Sequence, residues 1–167
     1  MKYIILLLFS TALFAQPQYS TTTEPKIGDT TISCVGYKNK PVVFIVDYLL
    51  PDIGMAVVSA NGIPLILINP NITIQLSDFE NQFWLFHECA HHELDHVFSP
   101  PTKEKEREAD CRSIINMKQR NLIKVKELES FYTWMKDSLR GDETHDIGSI
   151  RVENIKNCLN NEAENGM

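Results

Sequence analysis

Glycine is scarce in this chain, seven residues in 167, and none of them builds the glycine-rich loop that cradles a phosphate. Clustered positive charge is missing too. Sixteen lysines and arginines stand scattered among 22 aspartates and glutamates, for a net charge of −6. Nucleic-acid binding draws on clustered basic residues, so no nucleic-acid partner is expected. The sequence has no internal repeats and no low-complexity tracts. Nor does it have a convincing membrane span, which takes roughly 20 apolar residues; the apolar run at 3–14 is too short.

That run has another reading. Lys2, the apolar residues 3–14 and the small Ala15 describe a secretory signal peptide cleaved after Ala15, and no cysteine follows directly to carry a lipid anchor. Removing residues 1–15 leaves about 150 residues, the size of one domain. Residues 16–31, rich in threonine, proline and glutamine, read as a flexible lead-in, residues 32–160 as the domain, and residues 161–167 as a flexible tail. The protein is therefore expected to be exported, periplasmic or secreted, with no stable membrane span in the mature chain.

The most informative stretch is His87-Glu88-Cys89-Ala90-His91, followed by Glu106-Arg107-Glu108-Ala109-Asp110. Residues four apart on an α-helix share a face, so His87 and His91 can reach one tetrahedral zinc ion. Glu88 falls just beside that face, where it can serve as general base toward a metal-activated water instead of as a ligand. A catalytic zinc needs a third protein ligand and an open fourth position. Glu106 is the candidate for the ligand, in competition with Glu104 and Glu108. It is preferred because it alone stands four residues from an aspartate, and Asp110 could hydrogen-bond the outer nitrogen of a ligand histidine.

His92-Glu93-Leu94-Asp95-His96 repeats the same pattern out of phase. Phe79, Phe83, Phe86, Ala90, Leu94 and Val97 recur at steps of three and four and define a buried stripe. At about 100° per residue, His87 and His91 flank that stripe while His92 and His96 lie nearly opposite it, so the second pair is expected to be exposed. Ser77 and Glu80 supply a capping box that opens the helix. The metzincin layout is a poor fit, because its glycine and its third histidine would have to stand where Leu94 and Val97 are.

The succession His87-Glu88-x-x-His91, Glu106-x-x-Ala109-Asp110, and Thr144-His145 with Arg151 six residues beyond resembles the gluzincin peptidases of the HtpX and CAAX prenyl protease type. Asp146 stands where that family has a proline. The resemblance covers roughly residues 53–158 and lacks the relatives' membrane helices, so it implies a minimal soluble version. It implies that His145 approaches the metal, as a stabiliser of the oxyanion or as a regulatory fourth ligand. It also implies that Arg151 anchors the loop or helps polarise the carbonyl, and that the protein binds one zinc ion. The cytosolic repressor-cleaving gluzincins share a similar helix, but the signal peptide argues against them. In zinc peptidases of this type an extended protein or peptide substrate is generally held as an added β-strand beside the motif helix.

Export makes the four cysteines an expected pair of disulfides, with three connectivities open. Cys89 lies in the motif helix and Cys111 directly after Asp110, which suggests Cys89 with Cys111 and leaves Cys34 with Cys158. Oxidised cysteines cannot act as nucleophiles. The expected fold is α+β, one zincin-like domain. A buried strand is read at 42–46 and a hairpin at 54–59 and 63–68 through the Asn61-Gly62 turn, with Pro64 at an edge strand or at a strand's start. Helices are read at 102–118 and 125–139, and a short last helix carries Val152, Ile155 and Leu159. The expected activity is zinc-dependent endopeptidase. A metal-binding but catalytically idle exported protein, such as a scaffold, inhibitor or immunity-type factor, is the alternative, and the presence of Glu88 favours the enzyme.

Overall fold

The computed structural model describes residues 21–165. The signal peptide expected at 1–15 lies outside them, as do residues 16–20 of the lead-in. The described chain is mixed α+β. Its N-terminal part forms short strands: β1 (Thr21–Thr22), β2 (Lys26–Ile27), β3 (Thr30–Thr31), β4 (Val35–Gly36) and β5 (Lys40–Pro41). Residues 21–31 are thus not a featureless lead-in. β1 pairs with the main sheet, and Ile32, directly after β3, is fully buried, which anchors the segment.

The main sheet is completed by β6 (Val43–Val46), β7 (Gly54–Val58) and β8 (Pro64–Ile68), in the order β1-β6-β8-β7. β6 and β8 run parallel, and β7 and β8 form the expected antiparallel hairpin with Val57 opposite Leu65. Its turn closes by Gly62 N–H to the Ser59 carbonyl at 2.8 Å and Ser59 N–H to the Ile63 carbonyl at 2.9 Å. Gly62 has φ +70°, a left-handed conformation that glycine adopts without a Cβ penalty. Pro64 opens β8, the inner strand; the edge is β7.

The helices are α1 (Pro70–Thr73), α2 (Asp78–Glu93), α3 (Lys103–Gln119), α4 (Val125–Ser138) and α5 (Gly148–Asn165). None of the described helices is long and apolar enough to cross a membrane. The last helix is not short, and it runs through most of the segment read as a tail. α2 starts at the capping box: Glu80 N–H donates to Ser77 Oγ, and Ser77 N–H donates to Glu80 Oε2. From Gln82 to Ala90 every residue of α2 is buried, because the sheet covers one side of the helix while α3 and α4 cover the others. Phe79 and Phe83 pack on Phe131 of α4 with ring centroids 5.4 and 4.6 Å apart. Each buried phenylalanine contributes about 1.5–3 kcal/mol relative to an exposed one.

The disulfides join Cys34 to Cys89 and Cys111 to Cys158, not the expected pairs. Helical phase is the reason. α3 approaches the His87 side of α2, whereas Cys89, two residues on, points to the opposite side, where Cys34 and β4 lie. Cys111, one step beyond the inward Asp110, faces α5 instead of α2. The two bonds therefore tie the N-terminal strands to α2 and α5 to α3. Disulfides of this kind persist in oxidising compartments, which fits an exported protein.

Candidate metal centre

α2 and α3 meet where His87, His91 and Glu106 converge, and one donor atom from each lies within 4.8 Å of the others. The two Nε2 atoms are 3.1 Å apart, and Glu106 Oε2 is 3.0 Å from His87 Nε2 and 3.5 Å from His91 Nε2. A tetrahedral ion with contacts of about 2.0–2.1 Å keeps its ligand atoms about 3.3 Å apart. Two imidazole nitrogens and a carboxylate oxygen are turned toward one point, and the set fits a metal ion. Glu106 is 5 % exposed, so α3 brings this carboxylate inward at a cost that only such partners offset. Glu104 and Glu108 are both exposed and neither belongs to the triad.

Asp110, one turn after Glu106, places Oδ1 3.0 Å from His87 Nδ1. It is fully buried and held from behind by Arg151, whose Nε donates to Oδ2 at 2.8 Å and whose second nitrogen donates to Oδ1 at 2.5 Å. Burial opposes the charge on Asp110, but Arg151 and His87 hold its pKa below the ordinary carboxylate value. Arg151 is itself buried on α5 with its guanidinium 4.8 Å from the Trp84 ring centroid. It stands behind the ligands, not over the cleft, so the carbonyl-polarising role implied by the resemblance has no support in its position. In the metal-free protein burial disfavours charge on His87, yet Asp110 and Glu106 overcome this and raise its pKa to about 9.

Glu88 lines the same cleft and is buried, 8 % exposed. Burial pushes its carboxyl up to about 7 against the pull of His87, and Glu106 adds to the rise. β7 approaches it closely: a Cβ on Gly54 would stand 3.0 Å from Glu88 Cγ. Met55, Ala56 and Val57 of this edge strand also line the cleft, and Lys105 and Pro101 lie on its wall.

His145 reaches the centre from the loop between α4 and α5, with Nε2 3.3 Å from Glu106 Oε2. Asp142 shapes that loop by accepting from the Thr144 and His145 backbone N–H groups, each at 2.7 Å, and it lies 3.1 Å from His145 Nδ1. This is an Asx turn, in which the aspartate side chain accepts from the backbone two residues on. Asp146 is buried and bonded to Arg107 Nε at 2.6 Å, so an ion pair to α3 pins the loop where the resembled family has proline.

The overlapping pair His92 and His96 is not exposed; they are 2 % and 9 % accessible. His92 sits against the sheet with Nε2 2.9 Å from the Leu65 carbonyl. α2 ends at Glu93 and Asp95 turns the chain left-handed at φ 56°, so His96 never continues the helical face on which it was counted. It folds back instead to place Nδ1 3.2 Å from His91 Nδ1. Helical periodicity carried no signal for this contact, because periodicity stops where the helix does.

No family model, no curated protein and no solved structure matches this chain.

Proposed function

We propose that the chain is an exported zinc endopeptidase of the gluzincin kind, a zincin-like domain reduced to the sheet, the motif helix and the helices that complete the centre. The observation that carries this reading is the convergence of His87, His91 and Glu106 with the buried Glu88 in one cleft. A zinc ion held by those three residues would supply Lewis acidity, polarising a carbonyl and acidifying a water.

The remaining chemistry belongs to the chain. Glu88 accepts a proton from the attacking water as its oxygen bonds to the scissile carbonyl carbon. It then returns that proton to the amine nitrogen as the carbon–nitrogen bond breaks, leaving a carboxylic acid and an amine. A carboxyl poised near neutrality by burial suits both halves of that exchange. A protonated His145, its pKa raised by Glu106 and Asp142 against burial, donates Nδ1–H to Asp142 and offers Nε2–H to the carbonyl oxygen as negative charge develops there. An extended protein or peptide substrate adds to the outer edge of β7, beside which no described strand pairs, so that backbone hydrogen bonds supply affinity with little sequence preference. Two disulfides accord with action outside the cytoplasm.

The test is cleavage of a peptide library by the oxidised protein beside its Glu88→Gln variant, with metal content measured on both. Cleavage by the wild type alone, at equal metal content, is expected. Equal metal content with no cleavage by either would replace the endopeptidase with a metal-binding scaffold or inhibitor.

A further inference from the structure

We propose that His96 and Glu108 form a positioning pair that fixes the tautomer of His91 and so completes the metal centre, in the way Asp110 does for His87. The inference rests on the reading of His87, His91 and Glu106 as metal ligands. Neither His96 nor Glu108 contributes a donor to that triad. What they contribute is a hydrogen-bonded chain. His96 Nε2 lies 3.0 Å from Glu108 Oε2, and His96 Nδ1 lies 3.2 Å from His91 Nδ1.

The protons on this chain can be assigned from donor and acceptor types alone. A carboxylate only accepts, so His96 Nε2 carries the proton shared with Glu108. A neutral His96 then presents its lone pair at Nδ1, and His91 Nδ1 must donate to it. That leaves the lone pair of His91 on Nε2, the atom that faces His87 Nε2 and Glu106 Oε2. On the other side Asp110 accepts from His87 Nδ1 and leaves the His87 lone pair on Nε2 by the same logic. Two outer relays, one ending at a buried arginine and one at a half-exposed carboxylate, thus aim both ligand lone pairs at one point. The opposite tautomer of His91 would place an N–H there and block the ion.

The local backbone serves this placement. Asp95, left-handed at φ 56°, reverses the chain directly after α2 and starts the 3-10 turn His96–Phe98, which returns the imidazole alongside His91. His96 is buried although Asp95, Phe98 and Ser99 beside it are exposed. Glu108 lies two residues after Glu106 on α3, so one helix supplies the metal carboxylate and the terminal acceptors of both relays.

Zinc affinity of the oxidised protein, measured by chelator competition, tests this without recourse to catalysis. His96→Leu, which removes the acceptor, is expected to weaken zinc about 10–100-fold, the usual effect of losing an outer partner of a ligand histidine. His96→Asn, which keeps an acceptor at the Nδ1 position, should restore most of the loss. Glu108→Lys presents only a donor to His96 Nε2 and should weaken zinc by a comparable factor. Glu104→Lys, the same charge change at an exposed position of the same helix, is the control. Nitrogen NMR of the zinc-loaded wild type should show the proton of His91 on Nδ1. Should His96→Leu fail to fold, as circular dichroism would reveal, the Glu108 and Glu104 pair and the NMR still decide. Wild-type affinity in His96→Leu, equal affinities in the two lysine variants, or a His91 proton absent from Nδ1 would each overturn the proposal. A wild type that binds no zinc would overturn the metal site itself, a different failure.

Discussion

Glu106 Oε2 lies within 3.5 Å of nitrogens from His87, His91 and His145, so one carboxylate oxygen holds the centre together. Burial disfavours its charge, but those imidazoles hold its pKa far below the usual range. Glu106→Gln keeps the shape and loses the charge, and zinc affinity by chelator competition should fall by more than the roughly 10–100-fold cost of losing an outer partner of a ligand. His145→Ala should lower turnover of a cleaved peptide while leaving zinc bound; a loss of zinc equal to that of His87→Ala would count against its role over the cleft. Arg151→Met leaves Asp110 charged and buried without its main partner, and denaturant unfolding should register a loss on the order of 3–5 kcal/mol. The pairing of His87 with His91 and of Glu106 with Asp110 was legible at this scale because i, i+4 spacing on a helix dictates which side chains share a face. The partners of Arg151 and His96 were not, because they depend on how separate elements dock.

At the scale of elements, β7 and the loop 139–147 form the two walls that face across the centre. Gly54 is required at the first wall because a Cβ would meet Glu88 Cγ at 3.0 Å, and the neighbour is a buried side chain with little room to yield. Gly54→Val should therefore displace β7 or Glu88 and cut turnover more than it cuts zinc binding, a contrast read by assaying both on one preparation. The hairpin was legible from Asn61-Gly62 between two apolar runs, and α2 from its capping box and periodic apolar residues. Where α2 ends was not. The apolar period continues through Leu94 and Val97 in sequence, but the backbone leaves the helix after Glu93, so a phase argument carried past that point misplaced His96; His92, still within α2, was misplaced because the sheet covers its face of the helix. The disulfides failed for a related reason: proximity of two helices does not settle which of their faces meet.

For the whole molecule, proton uptake and metal binding are linked. In the metal-free protein Glu88 is raised to about 7 and His87 to about 9. Both bind protons more tightly folded than unfolded, so the stability they contribute is complete at low pH and is lost as pH rises through those values. His91, His92 and His96 are shifted the other way, chiefly by burial, and gain stability as pH rises through the histidine range, which is complete by about pH 7. Between pH 7 and 9 the metal-free protein should therefore lose stability in thermal melts, while zinc affinity rises over the same window because the ion displaces the His87 proton. Removing the Cys111–Cys158 bond, which ties α5 and Arg151 to α3, should cost about 2–5 kcal/mol by denaturant unfolding and weaken zinc through the loosened Asp110. The most direct measurement is metal stoichiometry with ligand identity: zinc titration of the purified oxidised protein, followed by X-ray absorption at the zinc edge. The account predicts one ion per chain with two imidazole ligands and one carboxylate, lost in His87→Ala. A protein that binds no zinc, or binds it equally well in His87→Ala, would contradict it.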